Sequence, residues 1–281
     1  MATPFDFYAA LNDLLDQVPE DQVTTPRQLS LAMGDPIATQ AIEDALRRED
    51  YEEHIYKVVQ SLGSGKAAFS DFVTDEPLNK LAETQRRMAE KVISIDTFYG
   101  ITKIAGVDAA YYDDRAYCAC VVLERDRAME CGTAVVDSSF PYIPGYLAFR
   151  EAPAVISAAR KVSGFDVLLV NGHGVAHPRG CGLATHVGLE LDAPTIGVAG
   201  RRLVGEGKED RGDWRLIVHR GRVVGAELPR EEGSALYVSV GHLISLETSV
   251  EIVRSLMGKL GLPKPIAMAH ARALDEKNHP R

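Results

Sequence analysis

Hydrophobic and polar positions divide the chain into two regimes. Over residues 5–15, Phe7, Leu11, Leu14 and Leu15 recur at helical spacing, predicting an amphipathic helix. Thr24 or Thr25 followed by Pro26 reads as a cap and first residue of a second helix, and Ile37, Ala41, Ile42 and Ala45 mark a third over 36–48. Runs 55–61 and 67–72 around the turn Gly63-Ser64-Gly65 read as a β-wing, so residues 1–75 are expected to form a winged-helix-like domain. A boundary is expected at 74–77. A longer helix follows over about 78–95, with Leu78, Leu81, Gln85, Met88, Val92 and Ile95 on one stripe.

Beyond that point the period changes. Three β-runs, 101–111, 117–124 and 128–136, joined by turns at Asp113-Asp114 and Arg125-Asp126, predict an antiparallel meander. Helices near 151–161, 182–191 and 246–260 then alternate with strands 167–170, 195–198 and 237–240. A hairpin, 214–218 with 223–226, turns at Arg220-Gly221. A meander followed by β/α alternation predicts an α/β, ribonuclease-H-like mixed sheet over residues 76–281.

Composition places the chain among ordinary globular proteins, with 46% hydrophobic and 25% charged residues. No apolar run is long enough to span a membrane, and the acidic N-terminus lacks the basic start of a secretory signal, so a cytoplasmic location is expected. The four cysteines, Cys118, Cys120, Cys131 and Cys181, lack zinc-site spacing and are expected to be reduced. The net charge of −9 is unevenly held. Residues 1–75 carry 5 Lys+Arg against 14 Asp+Glu, whereas the remainder carries 26 of each. The C-terminal part can therefore present local positive potential to phosphate, but the N-terminal part is a poor nucleic-acid surface.

Candidate chemistry gathers in three places. Asp108 ends the apolar run Ile104-Ala105-Gly106-Val107, where a carboxylate must be hydrogen-bonded, paired or metal-bound. Pro141-Tyr142-Ile143-Pro144-Gly145 is a proline-stiffened loop presenting an aromatic, which could be a packed turn or a wedge between bases. It is followed by Glu151, which could be a partner of a helix dipole or a second metal carboxylate. Asn171-Gly172-His173-Gly174 through His177-Pro178-Arg179 follows strand 167–170, at the strand end where open α/β sheets place ligands, and Gly172 and Gly174 would let the backbone approach one closely. His173, His177 and His186 could be zinc ligands, although Gly174 and Pro178 interrupt any helix that would align the first two, and structural roles are preferred. Gly63-Ser64-Gly65-Lys66-Ala67 lacks the upstream glycine and hydroxyl residue of a phosphate-binding loop.

Taken in order, these motifs resemble the endonuclease V family: Gly106-Val107-Asp108, Pro141–Gly145 with Phe149-Arg150-Glu151, Gly172–Gly174 with His177-Pro178-Arg179, Gly182, His186-Val187-Gly188, Pro194–Ala199, Ser239–His242 and Ala269-His270. The resemblance implies a repair nuclease that uses Mg²⁺ or Mn²⁺ to hydrolyse the second phosphodiester bond 3′ to deoxyinosine in DNA, with inosine-containing RNA as an alternative substrate. It implies Asp108, Glu151 and position 171 as metal ligands, His270 near them, Tyr142 as the strand-separating wedge, and Gly145, Leu147, Gly172 and Gly182 around the everted base. Two positions depart from the family. Asn171 replaces an aspartate, so it adds no charge and cannot act as a base. Gly200-Arg201-Arg202 stands where the family has a lysine, and Arg201 keeps charge without being able to deliver a proton. Binding with strongly reduced cleavage is therefore expected, and a non-catalytic inosine- or lesion-binding protein is the alternative. Residues 18–25 and 55–59 more faintly resemble the winged helix of O6-alkylguanine alkyltransferases, with Ile55 at the acceptor cysteine and Gln40 at the base-displacing arginine. Those two departures make alkyl transfer implausible, and a stabilising or targeting module is expected instead.

Overall fold

The computed structural model describes residues 5–60, 67–230, 234–258 and 261–279. The chain divides into two compact units: residues 1–84 with 139–146, and residues 85–138 with 147–281.

The first unit is built from short helices. In α1 (Phe7–Asp16), Asp6 caps the start by accepting from the Tyr8 and Ala9 amides, and Phe7, Leu11, Leu14 and Leu15 form the buried stripe. Thr25 and Gln28 make a reciprocal capping box on α2 (Pro26–Ala32). The expected third helix is split into a 3-10 turn, Pro36–Ala38, capped by Asp35, and α3 (Thr39–Ala45). The expected wing is corrected. Residues 55–57 form a 3-10 turn, and β2 (Ala67–Ala68) pairs parallel to β1 (Gln22–Val23), while Thr24 bridges Val58, also in parallel. A hairpin would require antiparallel pairing of the two arms with each other. Here residues 22–24 receive both flanks, through Val59 N–H to Thr24 O and Phe69 N–H to Val23 O, each at 2.8–2.9 Å. The expected turn at Gly63-Ser64-Gly65 lies outside the described residues.

The helix α4 (Pro77–Ala89) is shorter than its apolar stripe suggests. Residues 93–96 are taken by other partners: Ile93 bonds His242 and Leu243, and the Asp96 carboxylate accepts from Ser245 and Thr248. For the Ile93 backbone these bonds replace the i→i−4 bonds that a continued helix would have supplied.

The second unit holds a nine-stranded mixed sheet. The meander is β3 (Lys103–Tyr112), β4 (Arg115–Glu124) and β5 (Arg127–Asp137); β6 (Val167–Asn171) and β7 (Thr195–Ala199) follow, then β8 (Glu206–Asp210), β9 (Arg215–His219), β10 (Arg222–Pro229) and β11 (Ala235–His242). Their order across the sheet is β5-β4-β3-β6-β7-β11-β10-β9-β8. β3 pairs antiparallel with β4 but parallel with β6, and β6 parallel with β7, which is the ribonuclease-H-like arrangement. The strand β8 was not expected. Its sequence, EGKED, is polar because it is an exposed sheet edge, where charge discourages further pairing.

Each face of the sheet is covered. Ala105, Val107, Cys118, Cys120, Leu168 and Val170 meet α5 (Leu147–Ala159) and α6 (Leu183–Leu191). Val167, Leu169, Ile196, Val238 and Val240 meet α7 (Leu246–Ser255) and the start of α8 (Lys264–Asn278). Alternation along β3 therefore sends Val107 toward α5 and Asp108 toward α8. α8, absent from the sequence-based expectation, sits very close to the sheet: a Cβ on Gly106 would lie 2.3 Å from the Pro265 carbonyl carbon. Gly106→Ala is therefore expected to destabilise the protein by about 2–3 kcal/mol in urea unfolding. Gly100→Ala, which meets nothing within 4 Å, should be near neutral and serves as the reference.

Candidate active site

β6 stops at Asn171, paired with Val198 of β7, while β3 runs on to Tyr112 against β4 alone. Asp108 is the first β3 residue past the Val107–Val170 pair, so it stands at an opening in the sheet on the carboxyl side of the parallel strands. The residue is 7% exposed. Oδ1 accepts from the Asn171 side-chain amide at 2.9 Å and from the Ala109 N–H at 2.9 Å; Oδ2 lies 2.7 Å from Nδ1 of His270 on α8. Three residues separated by 63 and 162 positions along the chain are thus joined at one carboxylate.

Glu151 completes the group from the other side. It was expected at a helix start, but α5 begins at Leu147, so Glu151 is its fifth residue and lies beyond the first turn where the helix dipole acts. Burial first, and then the nearby Asp108 charge, raise the Glu151 carboxyl to about 7, with Tyr111 and Arg150 partly opposing the shift. Tyr111 was missed by sequence reasoning. Burial and the Glu151 charge push its phenol well above the ordinary value. Its hydroxyl lies beside that carboxyl, is buried, and lacks a hydrogen bond of full geometry. The Arg150 guanidinium stacks 4.4 Å above the Tyr111 ring. Strand alternation could have found Tyr111, since it shares the face of Val107 that meets α5.

The other expected residues are more scattered. Arg201 is exposed on the segment after β7, and its backbone is hydrogen-bonded by His173, whose pKa is lowered by burial. Arg202 faces Glu227 at 3.9 Å. The glycines of the 172–182 segment answer mainly to packing. A Cβ on Gly174 would meet the Val240 carbonyl oxygen at 1.9 Å, and one on Gly182 the His173 oxygen at 2.3 Å, whereas Gly172 faces Leu183 at 3.2 Å. The close approach at Gly174 is thus to β11 rather than to a ligand. Gly182 also caps α6. His173, His177 and His186 do not converge; among the described residues, no group of three or more His, Cys, Asp or Glu could hold a metal ion. Asn171, beside Asp108, brings an amide rather than a carboxylate to the group.

Tyr142 and Gly145 lie in the first unit. Tyr146 N–H donates to Ile143 O at 2.9 Å, with Pro144 and Gly145 (φ +79°) between them, the signature of a type II turn that only glycine adopts readily at that position. Phe140, Ile143 and Tyr146 are buried while Tyr142 is 64% exposed. The loop is anchored by three apolar side chains and holds one aromatic out.

The family model described as Endonuclease V matches residues 86–271. The chain belongs to the Endonuclease V family. An Endonuclease V from Ignicoccus hospitalis is 43% identical over 194 residues, covering 68% of this chain and 90% of that protein. A Picrophilus torridus protein described as a bifunctional methyltransferase/endonuclease is 32% identical over 300 residues, covering 96% of each chain. Among solved structures, Ciona intestinalis Endonuclease V, in complex with DNA containing an inosine followed by a ribo-adenosine, superposes with a TM-score of 0.65 at 26% identity, covering 73% of this chain and 99% of that one. The ribonuclease-H-like expectation for the nuclease unit therefore stands with this Endonuclease V fold.

Glu151 takes up a proton more readily in the fold than in the unfolded chain, whose carboxyl titrates near 4.5. The native state then binds more protons between pH 4.5 and about 7. Its contribution to stability should therefore fall as pH rises through that window, by at most roughly 1.4 kcal/mol per pH unit. His173, His186 and His242, whose pKa values are lowered by burial, act in the opposite direction, so the contribution is read as the difference between the unaltered protein and Glu151→Gln in chemical denaturation in cation-free buffer. A difference that is flat or rises with pH would refute the assignment.

Proposed function

We propose that this chain is a DNA-repair endonuclease that recognises inosine in DNA and hydrolyses the second phosphodiester bond 3′ to it. The observation that carries this reading is the pairing of Asp108 and Glu151, two largely buried carboxylates placed together at the carboxyl end of the parallel strands in an Endonuclease V chain. Like charges in such surroundings suit a divalent cation, and oxygen donors suit Mg²⁺, with Mn²⁺ as a substitute. Asp108 and Glu151 would hold it, with the Asn171 amide oxygen as a neutral third ligand. When bound, such an ion neutralises charge on the scissile phosphate and acidifies water.

The protein's own groups supply the rest. Asn171 and His270 fix the Asp108 carboxylate in one orientation. With Nδ1 committed to Asp108, Nε2 of His270 is the ring atom left to exchange a proton with the departing oxygen, and its side chain is 49% exposed. Tyr142 serves as a wedge that parts the strands beside inosine, held in place by the turn at Gly145. Leu147, Gly172 and Gly182 serve the everted base, which needs a close-fitting pocket. Arg201 supplies positive charge to phosphate but, being permanently protonated, no proton.

A second reading is favoured by Asn171. Its amide donates to Asp108 and it brings no charge, so the protein would bind inosine and cut slowly or not at all. The test is nicking of strands with a single inosine, DNA and RNA side by side, in Mg²⁺ and Mn²⁺. Asn171→Asp should cut inosine-containing DNA on the order of 10²–10³ times faster than the unaltered chain, a factor of the size that one electrostatic group supplies. Inosine-dependent binding with no cutting by either protein would establish the second reading instead.

A further inference from the structure

The first unit is the unexplained part of this protein. It carries an acidic excess that repels phosphate, and no cysteine precedes Cys118 to accept an alkyl group. Its one outlying segment, residues 139–146, is the loop that presents Tyr142.

That loop is tied down at both ends. At its start, Phe7 N–H donates to Ser139 O at 3.0 Å, and the rings of Phe5 and Phe7 each meet Phe140 edge-on with centroids 6.0 Å apart. At its end, the Tyr146 hydroxyl donates to Asp35 Oδ2 at 2.6 Å. The other oxygen of Asp35 caps the Pro36–Ala38 turn through Ile37 N–H at 3.1 Å, so the acceptor is itself fixed. Tyr146 and Asp35 are 111 residues apart in sequence, and Tyr146 is fully buried. The match to the family model begins at residue 86, so Phe7 and Asp35 lie outside it.

We infer that the first unit positions the lesion-recognition loop, with Asp35, Phe7 and Phe140 as positioning residues that hold the Tyr146 end and the Ser139 end while Tyr142 stays exposed. A wedge must enter the base stack without first being ordered, because ordering a loop on binding weakens the complex. Buried anchors from a rigid neighbour remove that cost. The role needs no contact between the acidic residues 1–75 and DNA. This inference rests on the proposed wedge role of Tyr142.

The experiment uses the full chain in Ca²⁺ and a duplex with one inosine beside 2-aminopurine, whose fluorescence rises on unstacking. Tyr142→Ala should abolish the rise. Tyr146→Phe and Asp35→Ala should each weaken inosine-dependent binding about tenfold and lower the rise, as loss of a hydrogen bond to a charged acceptor allows. The double variant should be no worse than either alone, and Asp35→Asn, which keeps an acceptor oxygen, should retain most of the signal. Mn²⁺ affinity, read by electron paramagnetic resonance, should be the same in all. If Tyr142→Ala abolishes the rise but folded Tyr146→Phe and Asp35→Ala behave as the unaltered protein, the anchoring role is wrong and the wedge stands. An unchanged rise in Tyr142→Ala would overturn the wedge reading and this inference with it.

Discussion

The carboxylate of Asp108 is the point on which the second unit's candidate chemistry turns. It can sit in an apolar strand only because three donors surround it: the Ala109 amide, the Asn171 side chain and His270. Each donor depends on a different level of structure. The amide comes from the strand itself, Asn171 from the parallel register of β3 with β6, and His270 from the seating of α8 against β3. Losing any one leaves a buried charge under-satisfied, which costs far more than the bond contributed. The absence of a side chain at Gly106 therefore bears on the chemistry, since it allows α8 to approach closely enough for His270 to reach the carboxylate.

Glu151 shows the opposite condition. Asp108 is surrounded by donors, whereas Glu151 is raised by burial and by Asp108 and is relieved only partly by Tyr111 and Arg150. Two neighbouring carboxylates, one clamped by donors and one under strain from burial and like charge, form an arrangement that a cation stabilises and that an apolar core would not tolerate. Asn171 softens this arrangement by offering Asp108 a neutral donor rather than a further negative charge. That neutral donor makes the group comfortable without a cation and weakens its demand for one.

The two units divide the labour by charge as well as by fold. The acidic excess lies in residues 1–75 and the nuclease unit is balanced, so attraction to phosphate belongs to the second unit. The contribution of the first is mechanical: aromatic packing at Phe140 and one short hydrogen bond at Tyr146 hold the Tyr142 loop.

The meander was legible in the sequence because alternation over residues 103–137 is local, and the turns at Arg125-Asp126 and Arg220-Gly221 each contain an Asp or a Gly, residue types that accept positive φ. Asp108, Glu151, Asn171 and His270 could be singled out through the motifs around them. Their meeting could not be read, because it depends on strand register and helix seating between positions far apart in the chain. α8 escaped notice because its buried residues are Pro265, Ile266, Ala269 and Ala273, of which Ile266 alone is large and aliphatic, so the periodic contrast is slight. The wing was misread because apolar alternation does not say which strand a segment pairs with or in which direction. Alternation puts Tyr111 on the Val107 face but does not tell that it meets Glu151, and Asp35 beside Tyr146 carries no sequence signature at all. What the sequence determined was the set of local conformations and the inventory of reactive groups; which of those groups share an environment, and hence their protonation and purpose, was decided only when long-range packing brought them within reach of one another.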